Sequence, residues 1–541
     1  MFVQITKSKR GRKTYFTYLV RESFRTPNGP RSRTVSNITG FPPAVRDTII
    51  AALRGQESVS MEELHLHSAL DFGGLAVLHE AWERFDLDRL FAEIPSSRQR
   101  GLLKAMIFAR LLFPCATLAL AQRARGSLLA QACGLAPAES FDEDDLYEAM
   151  DQFNGRWARM EKQLFSRAFP QGVRLVLYDL SSVYFEGKGP AHLSRYGHSR
   201  DHRSDRPQVL LAVLTDTEGI PLHLEVLRGN RADHKTLQAL LKTVRRRFGT
   251  LAVTFVFDGG MSSQLNLEAM SQQKLHYVTR LSSSSLQGLL AELPEERQLE
   301  LGDRQKVLEV RHEGKRYVIA GGEWRRQRDR ERRAARLKKG EAELKRLAAV
   351  ERKKPNAQKL MSQVGRALQR LKAHKYFTYE VDAQGKLTWA RKKELIQREE
   401  QIDGWYLLHT NLPVNQCSGE QTLAHYKGLL DVEEAFCEIK SYLEVRPVFH
   451  WKPQRVRNHV RLCFLAYWIS ARLGQEWRLK QEKGEVPRIL RELQSIRIGF
   501  LTVGKQDLKP LMTKVPEDLN QVLKDLDLLK LFATPPPWAA L

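Results

Sequence analysis

Two aspartates and one glutamate are the residues of this chain whose types and spacing could do chemistry. Asp179 and Asp258 each end an apolar run that is typical of a β-strand, and Glu433 lies at the middle of a helix predicted for residues 426–440. Sites in open α/β sheets form at the carboxyl ends of strands. Carboxylates gathered there suit Mg²⁺, and two such ions roughly 4 Å apart can hold the attacking and leaving oxygens of a phosphodiester bond. The three acids are therefore predicted to be catalytic residues that bind magnesium and act on nucleic-acid phosphates.

Each aspartate taken alone has a simpler explanation as a turn or helix-capping residue. Asp179 precedes the turn-like segment 180–182, and Asp258 precedes two glycines. Such residues are common in turns for reasons unrelated to catalysis. The combination of both aspartates with a glutamate on a lysine-flanked helix reverses this preference and favours a metal site.

The predicted helix 426–440 carries three chemically useful side chains on one face. Tyr426, Glu433 and Lys440 follow one another at intervals of seven residues, which is close to two helical turns. A carboxylate for a metal ion beside an ammonium group for a phosphate is a sensible pairing. A Glu and a Lys at this spacing also fit an ordinary solvated surface. The neighbouring Glu434 is displaced by about 100° around the helix.

The charge of the chain indicates a polyanionic partner. Lys and Arg number 87 and Asp and Glu number 63, so the net charge is 87 − 63 = +24, and the sequence pI is about 9.8. Such an excess attracts DNA or RNA, whereas solubility or an acidic membrane surface is the alternative explanation. No stretch approaches the roughly 20 uncharged apolar residues of a membrane helix, so no membrane association is expected.

The cysteines indicate a reducing compartment. They are scattered, without a Cys-x-x-Cys pair or the spacing of zinc ligands: Cys115, Cys133, Cys417, Cys437 and Cys463. Thiols stay unpaired in the cytosol, and the N-terminus lacks the apolar core of a signal peptide. The protein is therefore expected to be cytoplasmic.

The hydrophobic periodicity predicts a mixed α/β fold in which a catalytic core is preceded by two smaller units. After residue 171 the pattern runs strand, hairpin, helix, strand, helix, which is the order of an RNase H-like mixed sheet. The predicted regions are a basic β-rich module at 1–58, a helical region expected to bind DNA at 59–170, the core at 171–285 and 403–475, a basic helical and β insertion at 286–402, and a C-terminal helical region at 476–541.

The insertion is expected to contain a basic helical hairpin. Residues 325–354 hold 14 Lys or Arg against 5 Asp or Glu, with leucines at helical spacing, and a second helical face follows Pro355. A charge run is usually a solvated face, but an excess this large favours phosphate contact. The insertion also explains why so many residues separate Asp258 from Glu433.

These residues resemble the DDE transposases of bacterial insertion sequences, in the branch whose third acid lies in a Tyr-x2-Arg-x3-Glu-x6-Lys signature. Tyr426, Glu433 and Lys440 match its spacing, which selects Glu433 over Glu434, but Leu429 stands at the arginine position. In the family this arginine contacts transposon-end DNA. The resemblance implies that the contact is absent here or is supplied elsewhere.

Further segments carry the same resemblance over residues 171–475. They are 197–208, 219–222, 229–230 and 446–450, together with 258–263, which is similar to the second-acid loop of a subset of these enzymes. Gly259 replaces the usual arginine of that loop. The first 170 residues match more loosely.

The resemblance implies an RNase H-like domain that binds two Mg²⁺ ions, with Mn²⁺ as a substitute. Such an enzyme cuts double-stranded DNA at the terminal inverted repeats of its element and joins the freed 3′-hydroxyl to target DNA. A homodimer on the DNA, in the bacterial cytoplasm at the nucleoid, is the expected assembly. Alternatives are a regulator that binds DNA without catalysis and an RNase H-like nuclease without strand transfer.

The resemblance also implies DNA contacts by Tyr426 and Lys440, with Lys427 or Arg446 replacing the missing arginine. Some branch members form a DNA hairpin and hold a flipped base on a tryptophan. Trp405 lies 28 residues before Glu433 in a similar context, and stacking on an unstacked base is physically reasonable. A core or sheet-edge tryptophan is an equally good explanation.

His198 and His202 flank Asp201 at a spacing that could suggest zinc. No third or fourth ligand follows at a suitable spacing, and Arg200 and Arg203 crowd the group. Because catalytic zinc generally needs three protein ligands, a phosphate contact or a role in loop structure is preferred.

Overall fold

The computed structural model describes most of the chain. The described residues are 1–11, 13–55, 64–136, 140–232, 236–248, 253–293, 307–350, 356–480, 486–503 and 506–539.

The chain begins with a three-stranded antiparallel sheet and one helix. The elements are β1 (Phe2–Arg10), β2 (Lys13–Thr26), β3 (Gly29–Asn37) and α1 (Pro43–Leu53). Gly29 has a φ of 102°, which other residues rarely adopt, and it closes the turn between β2 and β3. The strands expected in the β-rich module are present as antiparallel pairs.

A mainly helical segment follows. Its elements are β4 (Leu64–Asp71), α2 (Gly73–Arg84), α3 (Ser97–Leu112), α4 (Thr117–Ala124), α5 (Leu129–Ala132), α6 (Glu143–Asp151) and α7 (Trp157–Ala168). Side chains satisfy the free amides at two of the helix starts: Ser96 accepts from the backbone of Gln99, and Asp142 forms a capping box with Asp145.

The central sheet contains the predicted core. Its first elements are β5 (Leu175–Tyr184), β6 (Gln208–Thr215), β7 (Pro221–Arg228), α8 (Thr236–Phe248), β8 (Thr254–Phe257), α9 (Gln264–Gln272) and β9 (His276–Arg280). The strand order is β9-β8-β5-β6-β7. Strands β5, β8 and β9 pair in parallel, whereas β6 pairs antiparallel with β5 and β7 pairs antiparallel with β6. This mixed α/β arrangement is RNase H-like, and most residues of its strands are buried because both faces are covered.

Three further strands extend this sheet to eight. The next elements are α10 (Ser283–Glu292), β10 (Leu308–His312), β11 (Lys315–Gly321), α11 (Glu323–Ala348), α12 (Ala357–Arg370), β12 (Phe377–Val381), β13 (Leu387–Arg391), α13 (Lys393–Gln401) and β14 (Trp405–Thr410). Strand β14 pairs with β9, β11 pairs with β14, and β10 forms the edge.

The insertion is therefore shorter than the predicted 286–402. Gly321 lies opposite Trp405 in the β11–β14 pair, so the chain leaves the sheet after residue 321 and returns at 405. Strands β10 and β11 belong to the core because Val310, Val318 and Ile319 are buried on the sheet. Inside the excursion, α11 and α12 pack through Leu344, Leu360 and other buried leucines, which confirms the helical hairpin. Pro355 falls outside the described residues.

The last part of the chain returns to the core and then to the N-terminal half. Its elements are α14 (Gly419–Lys427), α15 (Leu429–Cys437), a π-helical turn (Glu438–Tyr442), α16 (Pro453–Leu479), α17 (Val486–Glu492), β15 (Arg497–Val503), β16 (Gln506–Asp507), β17 (Leu511–Met512) and α18 (Glu517–Asp525).

The C-terminal region, which was predicted to be helical, contains strands as well as helices. Strand β15 pairs with β4, more than 400 residues earlier in the chain, and with the short β16 and β17. Its alternating side chains, with Ile498 and Phe500 buried, join a hydrophobic core that also holds residues of α3 and α16. The proposed bounds of the other regions stay predictions.

Within the described residues, no single helix is long and apolar enough to cross a membrane. The bent pair Ser97–Leu112 and Thr117–Ala124, which meet at 97°, passes by length and composition only.

Candidate active site

Asp179 and Asp258 lie next to each other at the end of a parallel strand pair. The last residues paired between β5 and β8 are Tyr178 and Phe257, and each aspartate is the next residue along its strand. Neighbouring strands are about 5 Å apart, so the two carboxylates leave the sheet side by side. The predicted pairing of these acids at one sheet edge therefore agrees with the strand register.

Asp179 does not end its strand, contrary to the prediction. Strand β5 continues to Tyr184 because its antiparallel pairing with β6 persists, with Asp179 opposite Val213 and Ser182 opposite Leu210. The serines that suggested a turn are buried in this pairing. The parallel partner β8 does end at the site, since its last residue is Phe257.

Glu433 reaches the same cleft from a helix that packs on β5. The predicted single helix 426–440 is divided in the structure: α14 ends at Lys427, α15 spans Leu429–Cys437, and Lys440 lies in the π-helical turn. π-Helical turns are rare and are frequent at functional sites. Val432, Ala435 and Phe436 are buried in the core, and Glu433 is exposed and lines the cleft.

The cleft has a volume of about 920 Å³ and a mixed but mainly basic lining. Its charged and aromatic side chains are Asp179, Asp201, Asp258 and Glu433, then Arg200, Arg280, Arg325, Arg328, Lys427, Lys440 and Arg446, then Trp324, Tyr406, Tyr426 and Phe436. Seven basic groups against four acidic ones give an anion-attracting site that surrounds a local cluster of carboxylates.

The three predicted catalytic acids influence one another. Burial, together with the negative charges of Asp258 and Glu433, raises the pKa of Asp179 to about 7, whereas a backbone hydrogen bond and Arg200 act in the opposite direction. A carboxylate that is protonated near neutral pH for these reasons would be stabilised in its charged form by a cation.

The carboxylates suit ions that complete their coordination with other ligands. In the described part of the chain, no three His, Cys, Asp or Glu side chains lie close enough together to hold a single metal ion. Mg²⁺ is commonly held by one or two carboxylates, with water and substrate phosphate in the other positions. The oxygen-only donor set of Asp179, Asp258 and Glu433 fits such ions.

Tyr426 connects the glutamate-bearing segment to the second aspartate. Its hydroxyl donates to Oδ1 of Asp258 at 3.4 Å. Burial and the charge of Asp258 raise the pKa of Tyr426 well above its usual range, so the hydroxyl keeps its proton. The ring lies 6.1 Å from that of Tyr406, over which the guanidinium of Arg325 is placed at 4.9 Å. Tyr426 therefore orients Asp258 and forms part of the cleft wall.

Lys440 and Arg446 share one carboxylate, that of Asp201. The Nζ of Lys440 and the Nη1 of Arg446 lie 2.8 Å and 2.9 Å from the same Oδ1 atom. The side chains of Lys440 and Asp201 are only 8% and 3% exposed. Burial lowers the pKa of Lys440, an effect that Asp201 opposes. The phosphate contacts predicted for both basic residues stay predictions, but the structure shows that Asp201 already binds them.

The prediction that Trp405 holds a flipped base does not agree with its position. The side chain is 7% exposed and packs with Leu286, Ile402 and Leu407 beneath the sheet. It fills the space beside Gly321, where an added Cβ would lie 2.7 Å from the indole. Trp405 is a core residue, which was the alternative explanation for this tryptophan.

A different tryptophan lines the cleft. Trp324, at the start of α11, is 73% exposed, and the guanidinium of Arg328 lies 5.0 Å from its ring. Sequence reasoning missed it because it is adjacent to the basic run rather than to an acidic residue. Arg280 was also missed, although its place at the end of strand β9 was a usable signal.

Lys427 is exposed at the end of α14 and lines the cleft, as does the half-buried Leu429 at the position of the family arginine. Gly259 has a clear structural reason to be glycine. A Cβ at this position would lie 2.6 Å from the backbone oxygen of Arg280, so the arginine of related enzymes would not fit this loop without a backbone shift.

The two histidines near Asp201 do not form a metal site in the described structure. The backbone oxygen of His198 accepts from Gln208, and His202 has a positive φ of 58° in the loop after β5. The phosphate contact or role in loop structure that was preferred for these histidines stays a prediction.

Comparison with known proteins gives a family match and similarity to solved structures. The family model for the transposase DDE domain matches residues 171–469. No curated protein matches the chain. A solved structure that is similar is the cryo-EM structure of the piggyBac transposase synaptic complex with hairpin DNA, at 10% identity and a TM-score of 0.37 over 78% of this chain and 80% of that chain. Because the family model covers more than half of the sequence and all three acids, the chain belongs to the transposase DDE domain family.

Proposed function

We propose that this protein cuts DNA at the terminal inverted repeats of an insertion sequence and joins the freed 3′-hydroxyl to target DNA. The observation that carries the proposal is the placement of Asp179, Asp258 and Glu433 in one cleft with an excess of basic side chains. Membership of the family supports transposition in general. The cleavage and joining steps are the proposed part.

The carboxylates of Asp179, Asp258 and Glu433 would hold divalent ions, Mg²⁺ or Mn²⁺. When bound, such ions lower the pKa of an attacking water or hydroxyl and stabilise the leaving oxygen. The rest of the work falls to the protein. Tyr426 fixes the carboxylate of Asp258, and the buried underside of α15 fixes the position of Glu433.

The basic side chains of the cleft would orient the DNA. Arg280, Arg325 and Lys427 line it from three separate elements, so that a bent or distorted strand end could be held from several sides. Burial and the neighbouring Arg280 lower the pKa of Arg325. Two close guanidinium groups that repel each other form a place for a phosphate, which would relieve that repulsion. Lys427 and Arg446 are the proposed substitutes for the arginine that Leu429 replaces.

Incubation with a labelled duplex that carries the inverted repeat, Mg²⁺ and a target plasmid tests the proposal. Products joined to the plasmid support transposition, nicks without joining indicate a nuclease, and retardation of the duplex without cutting indicates a regulator. Asp258→Asn should abolish cutting while the duplex is still bound. Cutting by Asp258→Asn would remove Asp258 from the catalytic set.

The proposed active assembly is a homodimer on two DNA ends, acting at the nucleoid in the bacterial cytoplasm. The mass of the protein–DNA complex tests the assembly, since one chain on one duplex and two chains on two duplexes differ twofold. A complex of one chain that still joins DNA would contradict the dimer.

A further inference from the structure

The N-terminal three-stranded sheet has two chemically different faces. The alternation of strands puts Tyr18, Val20 and Glu22 on one face, which we call the covered face. Helix α1 lies on it: the guanidinium of Arg46 is 4.4 Å from the ring of Tyr18, and Val20 is buried. The opposite face consists of the even-numbered residues 2–8 of β1, the odd-numbered residues 13–25 of β2 and the even-numbered residues 30–34 of β3. We call it the open face.

The open face has the composition of a surface for a polyanion. Four cations of the sheet, Lys7, Lys9, Arg31 and Arg33, lie on the covered face together with the single acid of residues 1–37, Glu22, which is paired with Arg33. The open face carries Lys13, Arg21 and Arg25 and no acid, and seven of its 14 positions are Ser, Thr or Tyr. Cationic and hydroxyl groups are the side chains that contact DNA phosphates and base edges.

The rest of the molecule does not account for this face. Lys13, Tyr15 and Arg25 are exposed. Arg21 is half-buried because it binds Gln4 and the backbone oxygen of Ser32, so it stiffens the sheet. Because the sheet has little buried apolar surface, it gains rigidity mainly from such contacts. On its open face, the exposed basic side chains flank the Ser, Thr and Tyr side chains.

The dimensions of the sheet also fit double-stranded DNA. Three strands spaced about 5 Å apart are about 10 Å across, and the major groove of B-DNA is about 12 Å wide. Antiparallel strands are a known means of entering a groove, with side chains of one face directed at the bases and the flanking cations at the backbone. An A-form RNA duplex has a deep, narrow major groove that would not admit such a face.

We propose that the open face binds double-stranded DNA in the terminal inverted repeat, away from the cleavage site. The inference rests on the proposed function, because it names a second DNA contact of the same enzyme. The sheet gives the transposase a grip on its own element, while the cleft holds the strand that is cut.

A matched pair of charge reversals in the full chain tests the inference. The double variant Lys13→Glu/Arg25→Glu changes the open face, and Lys9→Glu/Arg31→Glu changes the covered face of the same sheet. All four side chains are exposed, and each variant lowers the net charge by four. Long-range electrostatics therefore affect both equally, and only a direct contact separates them. Their melting temperatures should equal that of the unaltered protein.

Binding is measured by fluorescence anisotropy with a duplex that carries the inverted repeat, over a range of salt concentrations. The open-face variant should bind about tenfold more weakly than the covered-face variant. The slope of log K against log salt should shrink by about two, one for each lost phosphate contact. Equal affinities and slopes for the two variants would overturn the inference, as would tighter binding of an RNA duplex of the same sequence. The neutral variant Lys13→Gln/Arg25→Gln should also bind the duplex more weakly than the unaltered chain, by a smaller factor than the charge reversal. An unchanged affinity would count against the contact.

The test separates this inference from the proposed function. If the unaltered chain binds and cuts the duplex while the open-face variant binds like its control, only the sheet contact is wrong. If the unaltered chain neither binds nor cuts the duplex, the proposed function is wrong. The expected result is that the unaltered chain binds and cuts the duplex and that the open-face variant binds it more weakly than the covered-face variant.

Discussion

The ammonium group of Lys440 lies 2.8 Å from Oδ1 of Asp201, and the guanidinium of Arg446 binds the same oxygen at 2.9 Å. The three residues come from two distant parts of the chain, and Asp201 balances two cations at the wall of the catalytic cleft. The other oxygen of Asp201 is buried without a hydrogen-bond partner. The arrangement fixes the loop after β5 against the π-helical turn that follows Glu433.

Asp201→Ala should destabilise the protein strongly. Removal of one partner leaves the buried Lys440 without its counter-charge, and the loss of a partner in a buried ion pair typically costs about 3–5 kcal/mol. The free energy of unfolding in urea measures the effect. Asp205→Ala is the matched control, because Asp205 binds Arg203 at 2.9 Å in the same loop but is exposed. This control should leave stability nearly unchanged. Equal losses in both variants would mean that the buried pair has no special role.

The raised pKa of Asp179 predicts a pH-dependent cost to stability in the absence of metal. Its pKa rises from 3.8 to about 7 in the folded chain, so the folded state prefers the protonated form. Stability from this group is therefore highest below about pH 4 and declines as the pH rises to about 7. Asp179→Asn should raise the melting temperature at pH 8 in EDTA and change it little at pH 4.

Addition of Mg²⁺ completes that experiment. At pH 8 the ion should raise the melting temperature of the unaltered protein, since a cation stabilises the charged carboxylate, and should have a smaller effect on Asp179→Asn. Asp205→Asn, with its exposed side chain, serves as the control and should behave like the unaltered protein. A stabilisation by Mg²⁺ that is the same in all three proteins would place the ion away from Asp179.

Local sequence patterns predicted those features that depend on neighbouring residues. The core was predicted to resume at residue 403, close to the start of strand β14 at Trp405, and the helical hairpin of the insertion followed from leucine spacing. The pairing of the two aspartates followed from two apolar runs, because buried parallel strands are apolar throughout.

Features that depend on distant residues were not predictable in this way. The extension of β5 past Asp179 is set by its pairing with β6, and Asp201 meets Lys440 across 239 residues. The alternating pattern of β15 was short, and its partner β4 lies at the other end of the chain. Local patterns also could not show which tryptophan lines the cleft. The pairing of Gly321 with Trp405 places Trp405 in the core, and no local pattern indicates this pairing.

The two tryptophans near the site should respond differently to truncation. Trp405→Ala should destabilise the fold by about 3–5 kcal/mol, because it empties a buried position. Trp324→Ala should leave stability unchanged and weaken binding of a DNA end with unpaired bases, since base stacking on an aromatic ring contributes about 1–3 kcal/mol. Unfolding in urea and anisotropy with a duplex that ends in a single-stranded tail measure the two effects. Normal binding by Trp324→Ala would exclude stacking on this ring.

Gly259→Ala should impair catalysis through the position of Asp258. The new Cβ would lie 2.6 Å from the backbone oxygen of Arg280, and since a backbone atom cannot rotate away, the loop that follows Asp258 must shift. A displacement of about 1 Å in a catalytic group can reduce the rate about 100-fold. The rate of cutting of a labelled duplex at saturating Mg²⁺ measures this loss. Gly288→Ala is the control, since a Cβ there meets open space within helix α10, and it should stabilise the protein by about 0.5–1 kcal/mol. Unchanged cutting by Gly259→Ala would show that the loop tolerates a side chain, so that the absence of the family arginine would need another explanation.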